Sequence, residues 1–171
     1  MSHEALHIRH NTTEGEIYMK FARIFSNTDT AYAELLQALN QKNWQDYFLT
    51  NRNSNKIDIF MSKDAVRNCN DIVPLGGFFN EMQAEKLLHG LLTEYAMEIA
   101  EWLVHGNLAP LIIRHTYIEE PAGYSFDKNS CEQPEYKVRL TLRKELLING
   151  LQHNVTKLGI FVSTFAPVAR F

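Results

Sequence analysis

Up to Pro110 the apolar residues recur at intervals of three and four, and beyond it they fall at every second position, so the chain changes from a helical to an extended pattern partway along. Thr13-Glu14-Gly15-Glu16 fits a capping box, and Ile17, Phe21, Ile24 and Phe25 follow at helical spacing, which predicts a first helix over 14 to 25. Thr28 or Asp29 can cap a second helix with the stripe Tyr32, Leu35, Leu36 and Leu39, ending before the polar stretch at 40 to 43. Residues 44 to 73 are less regular, with an Asn/Ser-rich turn at 51 to 55 and a short alternation at Ile57, Ile59 and Met61. The clearest helix opens at Asn80 with Gln83 three residues on. It continues through Ala84, Leu87, Leu88, Leu91, Tyr95, Ile99, Trp102 and Leu103, and stops at Gly106.

Beyond Pro110, the segments 111 to 118, 136 to 143 and 158 to 165 read as strands. The middle one alternates strictly, with Tyr136, Val138, Leu140 and Leu142 on one side and Lys137, Arg139, Thr141 and Arg143 on the other. Pro121, Gly123, Pro134, Asn149, Gly150 and Gly159 mark the connections. N-terminal helices followed by a curved antiparallel sheet make an α+β fold, and the absence of internal repeats or low-complexity stretches makes residues 1 to 171 one domain.

Composition narrows the functional classes. With 171 residues, 45% hydrophobic and 22% charged, the chain can bury a core without disulfide or metal support. The net charge of −3 excludes binding of nucleic acid through bulk positive charge, so any such role needs a local patch. Cys69 and Cys131 form neither a disulfide framework nor a zinc quartet, and reduced structural thiols are expected. Residues 1 to 10 contain no apolar signal core, and no apolar run is long enough for a bilayer, so neither an export signal nor a membrane span is expected from the chain itself.

The chemistry-bearing side chains are scattered. His3 and His7 are four apart but lack a supporting third ligand, and they are read as solvated. His10 directly precedes the first capped helix, and taken alone it reads as a surface histidine before an N-cap. His89 lies beside the apolar stripe of the long helix, and His105 in its last turn suits the helix dipole as a cation, so both are expected to be structural. His115 is in phase with Leu111, Ile113 and Tyr117, as a satisfied inward-facing histidine would be, and His153 falls in a loop.

The row Lys137, Arg139, Thr141, Arg143 spaces its members about 7 Å apart on one side of a strand, either as a solvated face or as a set of phosphate contacts. Ser163 and Thr164 beside Phe165 are candidates for holding a phosphate and stacking a base. No Gly-rich phosphate loop, GxSxG elbow or HExxH helix is present, which leaves nucleotide-hydrolase, serine-hydrolase and metalloprotease readings unsupported.

Four segments in succession are similar to bacterial ribonuclease A-like toxin domains, found at the C-termini of contact-dependent growth inhibition proteins. They are Phe78-Phe79-Asn80-Glu81-Met82-Gln83-Ala84-Glu85, Ala100-Glu101-Trp102-Leu103, Tyr136-Lys137-Val138-Arg139-Leu140-Thr141-Leu142, and Ile160-Phe161-Val162-Ser163-Thr164-Phe165-Ala166-Pro167. The similarity spans roughly residues 75 to 168, and the motifs are moderately specific one by one. At the start, His10 before a helix matches the family's catalytic His, Lys20 falls where the family has Arg, and Thr164 matches its terminal-strand Thr. Lys for Arg, the ending Phe165-Ala166-Pro167 and the long connection over 26 to 74 depart from the family pattern, and the ending leaves the family's active-site Tyr without a clear equivalent.

The resemblance implies a ribonuclease A-like fold and a metal-independent endoribonuclease that attacks through the RNA 2′-OH to give a 2′,3′-cyclic phosphate, with no cofactor. In that chemistry a His is the general base, here His10, because its unperturbed pKa lies near neutrality. Lys20 and Thr164 would stabilise charge on the phosphate, with Lys137, Arg139, Thr141, Arg143 and Phe165 binding substrate. The general acid stays open between His153, Lys20 and water. The resemblance further implies a cognate immunity protein as partner and delivery to the cytoplasm of a target bacterium by a secreted or cell-surface system. The alternative is a catalytically inactive α+β module on the same scaffold that binds RNA or protein.

Overall fold

A computed structural model describes residues 5–7, 25, 27–41, 57–61, 65, 76–105, 108–149 and 155–171. The expected helix over 14 to 25, the turn at 51 to 55, and His3, His10, Lys20, Cys69 and His153 lie outside the described residues, apart from Phe25, which is buried. The described part is α+β, with helices α1 (Thr28–Leu39), α2 (Glu81–Glu94) and α3 (Ala96–Val104). The strands are β1 (Ala5–His7), β2 (Ile57–Met61), β3 (Gly77–Phe78), β4 (Leu111–Thr116), β5 (Gly123–Phe126), β6 (Glu132–Glu135), β7 (Lys137–Asn149) and β8 (Val155–Val168). Among the described residues no helix is long and apolar enough to cross a membrane.

The β7–β8 hairpin is the spine of the larger sheet. On its far edge β7 carries β4 and then β1, both antiparallel, and β8 carries β2 on its other edge. The pairing of β2 with β8 is parallel, so the sheet is mixed rather than wholly antiparallel as expected. The alternation Ile57, Ile59 that left residues 44 to 73 undecided is this strand, with Ile57 and Ile59 beside Leu158 and Ile160 in the core.

A second sheet, β3-β5-β6, is built from a stretch whose Gly123 and Pro134 suggested only loops. Pro134 is accommodated because β6 is an edge strand, where a missing N–H breaks no ladder. The tight β5–β6 turn is held by Asp127, whose carboxylate accepts the Asn129 and Cys131 N–H groups at 2.8 and 2.9 Å. Those two bonds hold the Asp127 carboxyl below its usual pKa. Gly76, at φ +86, opens this sheet where a Cβ would collide with the Tyr124 carbonyl, so the position requires glycine.

Capping explains the helix starts. Asn27, and not Thr28 or Asp29, caps α1: its Oδ1 accepts the Thr30 N–H at 2.8 Å and the Thr30 hydroxyl at 3.0 Å. Asn80 caps α2 as its spacing predicts, accepting the Gln83 N–H at 2.8 Å, while the Gln83 carboxamide oxygen accepts the Phe79 N–H at 3.2 Å.

The long helix expected over 80 to 105 is two. Tyr95 leaves helical geometry at φ −96, ψ 17, and α3 starts again at Ala96. The apolar spacing runs through this point undisturbed, because a one-residue departure leaves the i+3, i+4 rhythm intact. Leu88, Leu91 and Leu92 of α2 and Ile99, Ala100 and Leu103 of α3 join a single core with Leu35 of α1 and with Val138, Leu140, Leu142, Ile160, Val162 and Phe165 of the sheet. His89 is structural as expected: its Nε2 lies 3.0 Å from the Leu39 carbonyl at the C-terminal end of α1. A lysine from the sheet also reaches the end of α3. Lys144 Nζ donates to the His105 carbonyl at 2.7 Å and lies 5.1 Å from the Trp102 ring centre.

Candidate nucleic-acid interface and the adjoining cavity

Directly opposite residues in an antiparallel pair share a face, so the register of β4, β7 and β8 assigns each side chain to one side of the sheet. Val138, Leu140 and Leu142 face the helices and are fully buried. Their neighbours face away: Lys137 opposite Thr116 and Val168, Arg139 opposite Arg114 and Ala166, Thr141 opposite Ile112 and Thr164, and Arg143 opposite Phe161. Lys137, Arg139, Thr141, Arg143 and Thr164 thus share one open face. Arg114, Arg143 and Thr164 are exposed, and Lys137, Arg139 and Thr141 are half-buried.

Arg114 was not singled out in the sequence. Its signal was the same alternation, obscured because Arg114 is the lone cation of its strand and becomes significant only beside Arg139. Two guanidinium groups directly across a ladder repel each other, a cost that an anion between them would remove. Arg139 Nη2 donates to the Phe171 main-chain oxygen at 3.1 Å, whereas its buried Nε makes no hydrogen bond among the described residues. Lys137 Nζ lies 5.6 Å from the centre of the Phe171 ring.

Thr164 joins this face through a β-bulge. Leu142 pairs with Val162 but Thr141 pairs with Thr164, leaving Ser163 as the extra residue. Without it the inward set Leu158, Ile160, Val162 would continue to Thr164. With it Thr164 turns outward and Phe165 turns in. The expectation that Thr164 and Phe165 act together on one nucleotide is therefore corrected. Phe165 is fully buried, its ring 4.6 Å from that of Phe78 and its N–H donated to the Ala65 carbonyl at 2.7 Å, so it presents no surface for a base to stack on. Besides Phe171, the outer side carries the half-buried Phe161, held edge-on by Phe60 at 5.2 Å.

His10 and Lys20 lie outside the described residues. His115 is inward-facing, as its phase predicts, and is bonded through one ring nitrogen as part of a cluster. Its Nδ1 is 2.9 Å from the Tyr95 hydroxyl and 3.8 Å from a Glu94 carboxylate oxygen, and its ring meets Tyr117 edge-on at 4.6 Å. Burial pushes the Tyr117 phenol up to about 12, helped by Glu94 and Tyr95, so the hydroxyl keeps its proton at any physiological pH.

Next to this cluster a cavity of about 530 Å³ opens between α2, the end of β4 and residues 117–122. Thr116, which lines it, sits opposite Lys137, so the cavity adjoins the first cation of the basic row. Among the described residues no group of three His, Cys, Asp or Glu is arranged to hold a metal ion. No family model matches the chain, and neither a curated protein nor a solved structure matches it.

Proposed function

We propose that the protein binds single-stranded RNA along the outer face of the β4-β7-β8 sheet and cleaves it without a metal ion. The observation that carries this reading is the convergence of Arg114, Lys137, Arg139 and Arg143 around the opposed pair Thr141 and Thr164 on one open sheet face. Cations at strand spacing can follow a phosphate backbone, the threonine hydroxyls add neutral donors, and Phe161 offers a ring beside Arg143. A row of this kind within a molecule of net charge −3 is a local patch, the form of binding that the composition permits.

Cleavage rests on the resemblance to ribonuclease A-like toxin domains, with His10 as the base for the 2′-OH proton and Lys20 and Thr164 stabilising the charge that develops on phosphorus. On that reading the protein acts on RNA in the cytoplasm of a competing bacterium after delivery by a secreted or surface-borne system, and a cognate immunity protein restrains it in the producer. The experiment is RNA cleavage in excess EDTA by wild type and His10→Ala. Wild type is expected to yield 2′,3′-cyclic phosphate ends, and the variant is expected to lose at least about a hundredfold in rate. Equal rates would remove His10 from the mechanism.

The burial of Phe165 favours a second reading, a non-catalytic RNA-binding module, since one of the expected nucleotide contacts is absorbed into the core. Intact RNA retained by wild type with no cleavage in any buffer would select it.

A further inference from the structure

The cavity beside His115 has the character of a ligand site: apolar walls from Leu87, Pro121 and Ala122, and a few polar residues lining the same space. Those groups are already oriented by bonds on their far side. The Gln83 oxygen is held by the Phe79 N–H at 3.2 Å, which leaves its NH2 group with no hydrogen-bond partner among the described residues. His115 is fixed through Nδ1 by the Tyr95 hydroxyl at 2.9 Å, which leaves Nε2 likewise unengaged. The Tyr117 hydroxyl is a third such group, and Glu119 and Glu120 line the same cavity.

We propose that this cavity binds a nucleobase, with the Gln83 NH2 donating to a ring carbonyl or ring nitrogen, His115 Nε2 bonding a second edge atom, and the Tyr117 ring packing against the heterocycle. An uncharged planar ring with donors and acceptors along one edge bonds the Gln83 NH2 and His115 Nε2 at once and offers a face to the Tyr117 ring, whereas the two glutamates lining the cavity disfavour a free phosphate or carboxylate. The identity of the ligand rests on the RNA reading above. A strand whose phosphates follow the basic row passes Lys137 and Thr116, and because Thr116 also lines the cavity, a base turned round the β4 edge there would reach it on the helix-facing side. The cavity would then supply base preference to a surface whose cationic contacts are to phosphate and carry none.

The test is calorimetric titration of uridine, cytidine, adenosine and guanosine, none of which carries a phosphate, into wild type, Gln83→Glu, His115→Ala and Arg139→Glu. Gln83→Glu retains the oxygen that accepts the Phe79 N–H and adds a charge favourable to the start of α2, so the fold is kept while the donor is lost. At least one nucleoside is expected to bind wild type, about tenfold more weakly to Gln83→Glu and to His115→Ala, and Arg139→Glu is expected to lose RNA affinity while still binding that nucleoside. If RNA binds wild type and no nucleoside does, or if both cavity variants bind nucleosides as wild type does, the cavity is not a base site and the RNA reading stands. If a nucleoside binds through Gln83 but RNA does not bind, the cavity proposal stands and the RNA reading falls.

Discussion

Lys144 shows how one side chain can depart from the row it neighbours. It follows Arg143 directly and so points the other way, into the helix-facing side, where only 9% of it is exposed. Burial pushes its ammonium down to about 8 from the ordinary 10.5. Between those two values the unfolded chain binds a proton that the folded one has released, so this group makes stability rise with pH across that window. Below about 8 both states are protonated and the burial cost is paid in full. Chemical denaturation of wild type and Lys144→Met at pH 7.5 and pH 10 should show the wild type gaining relative to the variant at the higher pH. A constant difference would mean that the Lys144 amine is as well solvated in the fold as out of it.

At the level of elements, the bulge at Ser163 decides which side chains β8 shows to solvent. Upstream of it, Ile160 and Val162 point inward; downstream, Phe165 does. Deleting Ser163 would put an uninterrupted alternation on β8, turning Thr164 into the core and Phe165 out of it. The expected result is a loss on the order of 3 kcal/mol in stability, comparable to removing a buried Phe, seen as a lowered midpoint in urea unfolding, together with weakened RNA binding. Retained stability and RNA affinity would show that the register recovers elsewhere along the β7–β8 hairpin. The interruption at Tyr95, by contrast, leaves the apolar phase of the helices unchanged. It separates α2, which lines the cavity through Gln83 and Leu87, from α3, whose Trp102 and His105 receive Lys144.

For the whole molecule, the proposed attraction to RNA draws on four cations that the described residues place on one face of a chain with 17 basic and 20 acidic residues. If each of the four neutralises one phosphate, log K should fall with log salt at a slope of roughly −3, since a single strand contributes about −0.7 per contact. Arg139→Glu should lower affinity and flatten that slope by about 0.7 or more in filter-binding or anisotropy titrations between low and physiological salt. Unchanged affinity and slope would make the basic row a solvated face.

The sequence by itself determined what depends on local rhythm and local bonding. The change of period near Pro110, the Asn80 cap with Gln83, the strand expected over 136 to 143 and found from Lys137 on, and the common side of Lys137, Arg139, Thr141 and Arg143 all follow from neighbours within a few residues. The expected common role of Thr164 and Phe165 did not survive, because one extra residue in β8 shifts the phase beyond it without disturbing the β-rich composition. The parallel pairing of β2 and the opposition of Arg114 to Arg139 lay beyond reach for a different reason: each is set by which distant strand lies alongside, and hydrophobic alternation specifies a buried face but not a partner. The cavity is tertiary for the same reason. Gln83 is a helix-cap residue, His115 an inward strand residue and Tyr117 the start of a loop, and only the tertiary placement of α2 beside the end of β4 makes them line one space.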